Sequence, residues 1–195
     1  MQDYSKLVHF LFEVGMLRKT PRSGYQFLGT GQENVAEHSF RTAIIGFVLG
    51  KLAQVDAYKL AIMCLIHDFP EARCGDFNYV NKIYNQADHV QAFKDSVAQT
   101  GLEELLNLFI EFEEVNSKES LLAQDADQLD LMLNLKEQLD LGNKYAKTWL
   151  ECAQKRLRTK EGKLLAKHIL NTDSQEWWFT IKDKSWWEQK SNEPK

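Results

Sequence analysis

The chain has 195 residues, 44% hydrophobic and 27% charged, which suits one soluble domain with a substantial core. A net charge of −4 argues against a nucleic-acid polymer as partner, since such a surface should be basic. No apolar run reaches membrane-spanning length, and the first residues, broken by His9 and Glu13 with no basic lead, do not read as a signal peptide.

Only three prolines and ten glycines, with many Leu, Ala, Glu, Lys and Gln, predict an all-α fold. Cys64, Cys74 and Cys152 are far apart and read as small buried hydrophobes of a cytoplasmic protein, not as a zinc knuckle or a disulfide frame. Residues 3–18 place Leu7, Phe10, Leu11, Val14 and Leu17 at helical spacing, so that stripe is expected in the core. Residues 19–33 read as a polar loop holding a local cluster of Arg18, Lys19, Arg22 and Tyr25. Asn34 and Glu37 form a capping box that opens a helix through Phe40, Ile44, Phe47, Val48 and Leu52. His38 falls in its first turn, where the helix dipole should keep the ring neutral, as a metal ligand must be.

The run Leu60–Ile66 is apolar all round and predicts a buried helix that ends near His67 or Asp68. Pro70 disfavours helical geometry at Phe69 and suits the first position of a new helix, which puts Glu71 in the opening turn after a kink. His67, Asp68 and Glu71 should therefore share one space between two helical segments. Gly75-Asp76 is a turn signal that brings another carboxylate close by. A helix over 82–99, with His89 on the surface, should be followed by a capping box of Thr100 and Glu103.

Residues 118–141 predict the longest helix, with Leu122, Ala126, Leu129 and Leu133 as its core stripe. Asp125, Asp127 and Asp130 cannot all lie opposite that stripe. One of them is a candidate ligand for a buried metal, and periodicity does not choose between Asp125 and Asp127. Helices near 143–158 and 161–171 follow, then a cap signature at 173–176. Trp177-Trp178-Phe179 and Trp186-Trp187 are read as sealing a core edge or a subunit interface. We expect one domain over residues 1–180 and a partly disordered tail over 181–195.

His38, the His67-Asp68 doublet with Glu71, and a late aspartate form a mixed nitrogen and oxygen donor set suited to a divalent transition metal. Glu37-His38-Ser39, His67-Asp68-x-x-Glu71 with Gly75-Asp76, and Ala126-Asp127-Gln128-Leu129 resemble the motifs of the HD-domain superfamily of metal-dependent phosphohydrolases, in its 5′-deoxynucleotidase branch. The resemblance spans about residues 5–160. It implies an all-α fold, a homodimer, one divalent metal per chain, and hydrolysis of deoxyribonucleoside 5′-monophosphates to nucleoside and phosphate. It also implies Asp127 rather than Asp125 as the last ligand beside His38, His67 and Asp68. Family members hold the nucleotide with an arginine and a tryptophan upstream of the first histidine. Arg22-Ser23-Gly24-Tyr25 takes that place, with tyrosine where tryptophan is usual.

The chemistry agrees with that resemblance. A phosphate monoester repels nucleophiles and hydrolyses very slowly unaided, and a divalent metal offsets its charge. Glu71 is then the general acid/base, Arg22 the partner of the phosphate, and Asp76 a group that hydrogen-bonds the sugar or positions water, with Tyr25 beside the nucleotide as the resemblance implies. Two rival expectations stand beside this one: hydrolysis of another phosphorylated nucleotide or metabolite, and a non-catalytic sensor that keeps the metal site.

Overall fold

The computed structural model describes residues 4–179, so residues 181–195 and the Trp186-Trp187 pair lie outside it. The described residues form α-helices joined by short turns. They contain no β-strand, only an isolated antiparallel bridge between Pro21 and Asn34. No helix among them is long and apolar enough to cross a membrane.

Helix α1 spans Ser5–Val14 and runs into a 3₁₀ turn, Gly15–Lys19, so the expected helix of residues 3–18 is split in two. Its stripe is core only in part. Leu17 is buried, but α1 itself buries no residue and leaves Leu11 66% exposed. The spacing is helical, but the stripe is split: Phe10 and Leu17 pack into the second core, while Leu11 and Val14 face outward. The expected polar loop of residues 19–33 holds a short helix α2, Tyr25–Leu28. That loop is closed at its neck, where Arg22 N–H donates to Glu33 O (2.9 Å) and Val35 N–H to Thr20 O (3.0 Å).

Helix α3, Val35–Ala53, begins with the expected Asn34–Glu37 capping box. Helix α4, Ala57–Ile66, is capped by Asp56, whose side chain accepts from the Tyr58 and Lys59 N–H groups. Leu60, Met63 and Cys64 are buried as expected. Ile62 and Leu65 are not, so the apolar run covers an outer face as well. Two glycines let α3 and α4 approach closely. A Cβ at Gly50 would lie 2.6 Å from Ala57 Cα, and one at Gly46 would collide with the Cys64 sulfur. Helix α4 ends where the sequence indicated, with His67 as its C-cap, and α5, Glu71–Cys74, starts directly after Pro70.

The expected helix of residues 82–99 is two helices, α6 (Asn81–Tyr84) and α7 (His89–Val97), because the Asp88 side chain accepts from Gln91 N–H and restarts the helix. His89, the first residue of α7, is half-buried. The Thr100–Glu103 capping box does not form. Thr100 Oγ instead donates to Val97 O and accepts from Leu102 N–H, one turn ahead of α8 (Glu103–Glu114). Helix α9, Lys118–Asp140, is central and packs on α3 and α4, with α10 (Tyr145–Arg156) and α11 (Lys160–Asn171) along its other side. A short α12, Glu176–Phe179, follows. One core joins α3, α4, α9, α10 and α11 around Leu49, Met63, Leu129 and Leu150. A second, around Phe69, Phe93 and Phe109, sits under α1 and α5. Of the cysteines only Cys64 is buried, whereas Cys152 is exposed.

Candidate active site

Three helices bring polar groups to one buried point: His38 from the first turn of α3, His67 and Asp68 from the end of α4, and Asp127 from α9. His38 Nε2 and His67 Nε2 are 3.2 Å apart. Asp68 Oδ2 lies 3.5 and 3.3 Å from these two nitrogens, and Asp127 Oδ1 lies 3.2 and 3.9 Å from them. The other ring nitrogens settle the proton positions. His67 Nδ1 lies 2.7 Å from Cys64 O, and a carbonyl can only accept. His38 Nδ1 lies 2.6 Å from the Asp130 carboxylate. Each ring therefore carries a proton on Nδ1 and, when neutral, points a lone pair from Nε2 at the other ring, beside two carboxylates. Such a set needs a positive charge at its centre, either a proton or a cation. Its donor types and convergence fit a divalent ion, and the ligating atoms of His38, His67 and Asp68 lie within 4.8 Å of one another.

Without a cation, carboxylates decide the proton affinity of His38, and a metal on Nε2 would take the place of that proton. Burial and Arg22 push its pKa down, but the hydrogen bonds to Asp127 and Asp130 outweigh them and raise it to about 10. Two carboxylates at hydrogen-bond distance count for more than a helix terminus. For Asp127, burial works upward, yet His38 and His67 hold its pKa well below the usual carboxylate range.

Glu71, first in α5, is buried beside this point, and its Oε2 has no hydrogen-bond partner. Burial, then Asp68 and Asp76, push its pKa up to about 9, so at neutral pH it holds a proton that no neighbour accepts. Arg22 lies across the cleft with Nη1 2.8 Å from Asp68 Oδ2 and Nη2 4.0 Å from Asp127 Oδ1. The Arg22 side chain is thus an ion-pair partner within the site and not a solvated loop charge. Asp76 accepts from Ser23 N–H (2.6 Å) and Ser23 Oγ (3.3 Å), which pins the Arg22-to-Tyr25 loop while leaving Asp76 on the cleft wall. Tyr25 lines the same cleft. Six of the eight residues singled out from the sequence line one cavity of about 250 Å³, and the other two, His38 and His67, sit behind it against Asp68 and Asp127.

The structure also separates Asp125 from Asp127. Asp125 is fully buried away from the imidazoles and accepts from Arg158 N–H (2.9 Å), Thr159 N–H (2.8 Å) and Thr159 Oγ (2.6 Å). Asp130, which the sequence offered only as one of three α9 carboxylates, sits behind His38. It is buried, it fixes the His38 tautomer, and it takes the Arg41 guanidinium on its other oxygen. Such a carboxylate orients a metal-binding histidine, and its i+3 spacing from Asp127 was the one available signal. Sequence reading also passed over Tyr79, Lys82, Trp149 and Arg156, which line the outer cleft.

The HD domain family matches residues 14–168. The chain is 28% identical over 145 residues to a Homo sapiens protein named 5′-deoxynucleotidase HDDC2, covering 71% of each. It is 31% identical over 148 residues to 5′-deoxynucleotidase YfbR of Shigella flexneri, covering 66% of this chain and 74% of the relative. A solved conserved hypothetical protein from Pyrococcus furiosus superposes with a TM-score of 0.70 at 26% identity, over 85% of this chain and 99% of that one. The His-Asp doublet at the end of α4, its partners on α3 and α9, and these likenesses lead to one conclusion: the chain belongs to the HD-domain family, in the branch of its 5′-deoxynucleotidase relatives, and is a hydrolase.

Proposed function

We propose that the protein removes the 5′-phosphate from deoxyribonucleoside 5′-monophosphates, using one divalent metal held by His38, His67, Asp68 and Asp127. The observation that carries this reading is the pair of facing Nε2 atoms, flanked by two carboxylates, beside a buried glutamic acid with an unpartnered oxygen. When bound, the ion supplies positive charge to the phosphoryl group and makes nearby water more acidic. Arg22 moves part of its pairing from Asp68 to the phosphate oxygens. Glu71 gives its proton to the departing 5′-oxygen as water adds to phosphorus, and it recovers a proton from that water. Asp76 and Tyr25 face the sugar, and a tight fit against the deoxy carbon leaves a 2′-hydroxyl clashing or unpaired. That difference corresponds to one to two decades of specificity, at about 1–3 kcal/mol for a buried unpaired group.

The same reading gives the protein a homodimer and a place in the cytoplasm, where its thiols stay reduced. It is supported by the outer face of α3, where Phe40, Ile44, Val48 and Leu52 recur every fourth residue in solvent. The test is phosphate release from deoxyribonucleotides, ribonucleotides and other phosphomonoesters, each with several divalent metals. The expected result is metal-dependent release with kcat/KM for dAMP at least about tenfold above AMP. Equal values would refute the deoxy preference, and no release from any nucleotide would refute the reading itself.

A further inference from the structure

The aromatic C-terminus has no part in the chemistry of the cleft, and it begins beside a second cavity. That cavity is a groove of about 430 Å³ between α3, α9, α11 and α12, a volume typical of sites that hold a bound group. Ile45, Leu129, Leu133, Leu165, Ile169 and Trp177 give it an apolar lining. It is separate from the cleft: the cleft takes Leu131 and Leu135 of α9 and the groove takes Leu129 and Leu133, so the two open on different faces of that helix. The charges along its rim are already paired. Glu137 Oε1 accepts from Arg41 Nη1 (3.0 Å), Lys136 donates to Asp140, and Asp173 Oδ1 accepts from Gln175 N–H (2.8 Å). Such a groove offers little to a charged metabolite. It suits large apolar side chains, with carboxylate oxygens at the rim as acceptors for an indole N–H.

The chain itself leads into this groove. Ser174 N–H donates to Asp140 Oδ2 (2.9 Å), which pins the turn before α12 to the end of α9. Trp177, 80% exposed, then stands at the groove wall, and α12 ends two residues later. Trp186 follows Phe179 by seven residues, which span up to about 23–25 Å when extended. The groove wall from Leu129 to Glu137 runs only about 12 Å along α9. We infer that the groove is the seat of the chain's own C-terminal segment, residues 180–195, with Trp186-Trp187 filling it as an intramolecular strap across α3, α9 and α11. The inference goes beyond the proposed function and does not depend on it. Each indole that enters buries about 150–250 Å². A tether this short also holds the pair at an effective concentration on the order of millimolar, which a second chain in solution does not match.

The experiment is a double-mutant cycle on the full chain, read by Tm and by fluorine NMR of 5-fluorotryptophan-labelled protein. Trp186→Ala and Trp187→Ala together should lower Tm by about 3–6 °C. Ile169→Lys, which puts a charge into the groove, should lower Tm as well, but adding the two alanines to it should then cost less than about 1 °C. In the unaltered chain a soluble paramagnetic agent should broaden the Trp186 and Trp187 signals far less than in a free peptide of residues 180–195. Ile169→Lys should abolish that shielding, whereas Leu164→Lys, on the exposed side of α11 and outside the groove, should preserve it. Should Ile169→Lys fail to fold, Ile169→Ala carries the same cycle with a smaller lesion, and the same loss of coupling is expected in part. Additive losses of Tm across the cycle would overturn the inference, as would an unchanged Tm in the double alanine chain. Signals broadened equally in chain and peptide would do so too. Coupling that disappears on dilution would place the indoles in the groove of a second copy and overturn the intramolecular strap.

Discussion

Asp125 anchors the backbone that leads into α11, while Asp127, two residues on, turns its carboxylate to the imidazoles. The two therefore fail in different ways when removed. Asp127→Ala should keep the fold and lose its bound metal by elemental analysis, and Asp68→Ala should do the same. Asp125→Ala leaves three donors without an acceptor and should cost about 3 kcal/mol, or a fall in Tm of about 6–12 °C, while the folded protein still loads metal. Metal still fully bound in Asp127→Ala would remove it from the ligand set. Glu71→Gln has almost the same shape but no proton to give. It should retain metal and lose about 10²–10⁴-fold in kcat, and a near-normal rate in the metal-loaded variant would return Glu71 to a packing role. The doublet and Glu71 were legible because four of five consecutive positions carry the signal, from His67 through Pro70 to Glu71. Asp130 was not, because its role depends on His38 and Arg41, about ninety residues earlier in the chain.

Helix α1 shows how an element can be right in kind and only half right in which residues it turns inward. Its apolar spacing is helical, but what holds it is the Phe10–Phe69 ring contact at 5.2 Å and the Glu13 carboxylate, which accepts from Arg73 of α5 and Ser96 of α7. No periodicity could indicate that a polar residue at position 13 would be the anchor. Burial alone would raise the Glu13 pKa, but the Arg73 and Ser96 hydrogen bonds lower it below the ordinary value near 4.5. A depressed folded pKa means the stabilisation is complete above about pH 4.5 and is lost as pH falls through the lower, folded value. Glu13→Gln should thus melt below the unaltered chain at pH 6, with the gap closing toward pH 3. A constant gap in Tm across that range would refute the charge-based anchor. The split of residues 82–99 has a similar cause. Helix-forming residues run through it, but one Asx cap at Asp88 restarts the helix, and the break leaves Tyr79 and Lys82 beside the cleft.

At the scale of the whole molecule, the outer face of the α3–α4 pair is apolar. Phe40 is 66% and Ile44 55% exposed on α3, beside Tyr58, Ile62 and Leu65 on the outer side of α4. A stable interface buries about 1,200–2,000 Å² in total, with an apolar centre, and a two-fold axis across this helix pair would supply one. Ile44→Glu should convert a dimer into monomer in sedimentation velocity and leave the site's metal in place. A monomeric unaltered chain at tens of micromolar would end the dimer reading. The all-α fold was legible from composition and spacing, but which faces were inward was not, because an outward apolar stripe and a core stripe have the same pattern. The close approach of α3 and α4 at Gly46 has a consequence for ion choice. His38 is two turns from Gly46, about 12 Å along α3, and Cys64, which Gly46 touches, supplies the carbonyl that aims His67. A methyl group at Gly46 would press on the sulfur of the residue whose carbonyl holds His67. A Gly46→Ala wedge should widen the gap between the two imidazole nitrogens and shift the protein's preference from smaller toward larger divalent ions, in competition between Mg²⁺ or Zn²⁺ and Ca²⁺ or Cd²⁺.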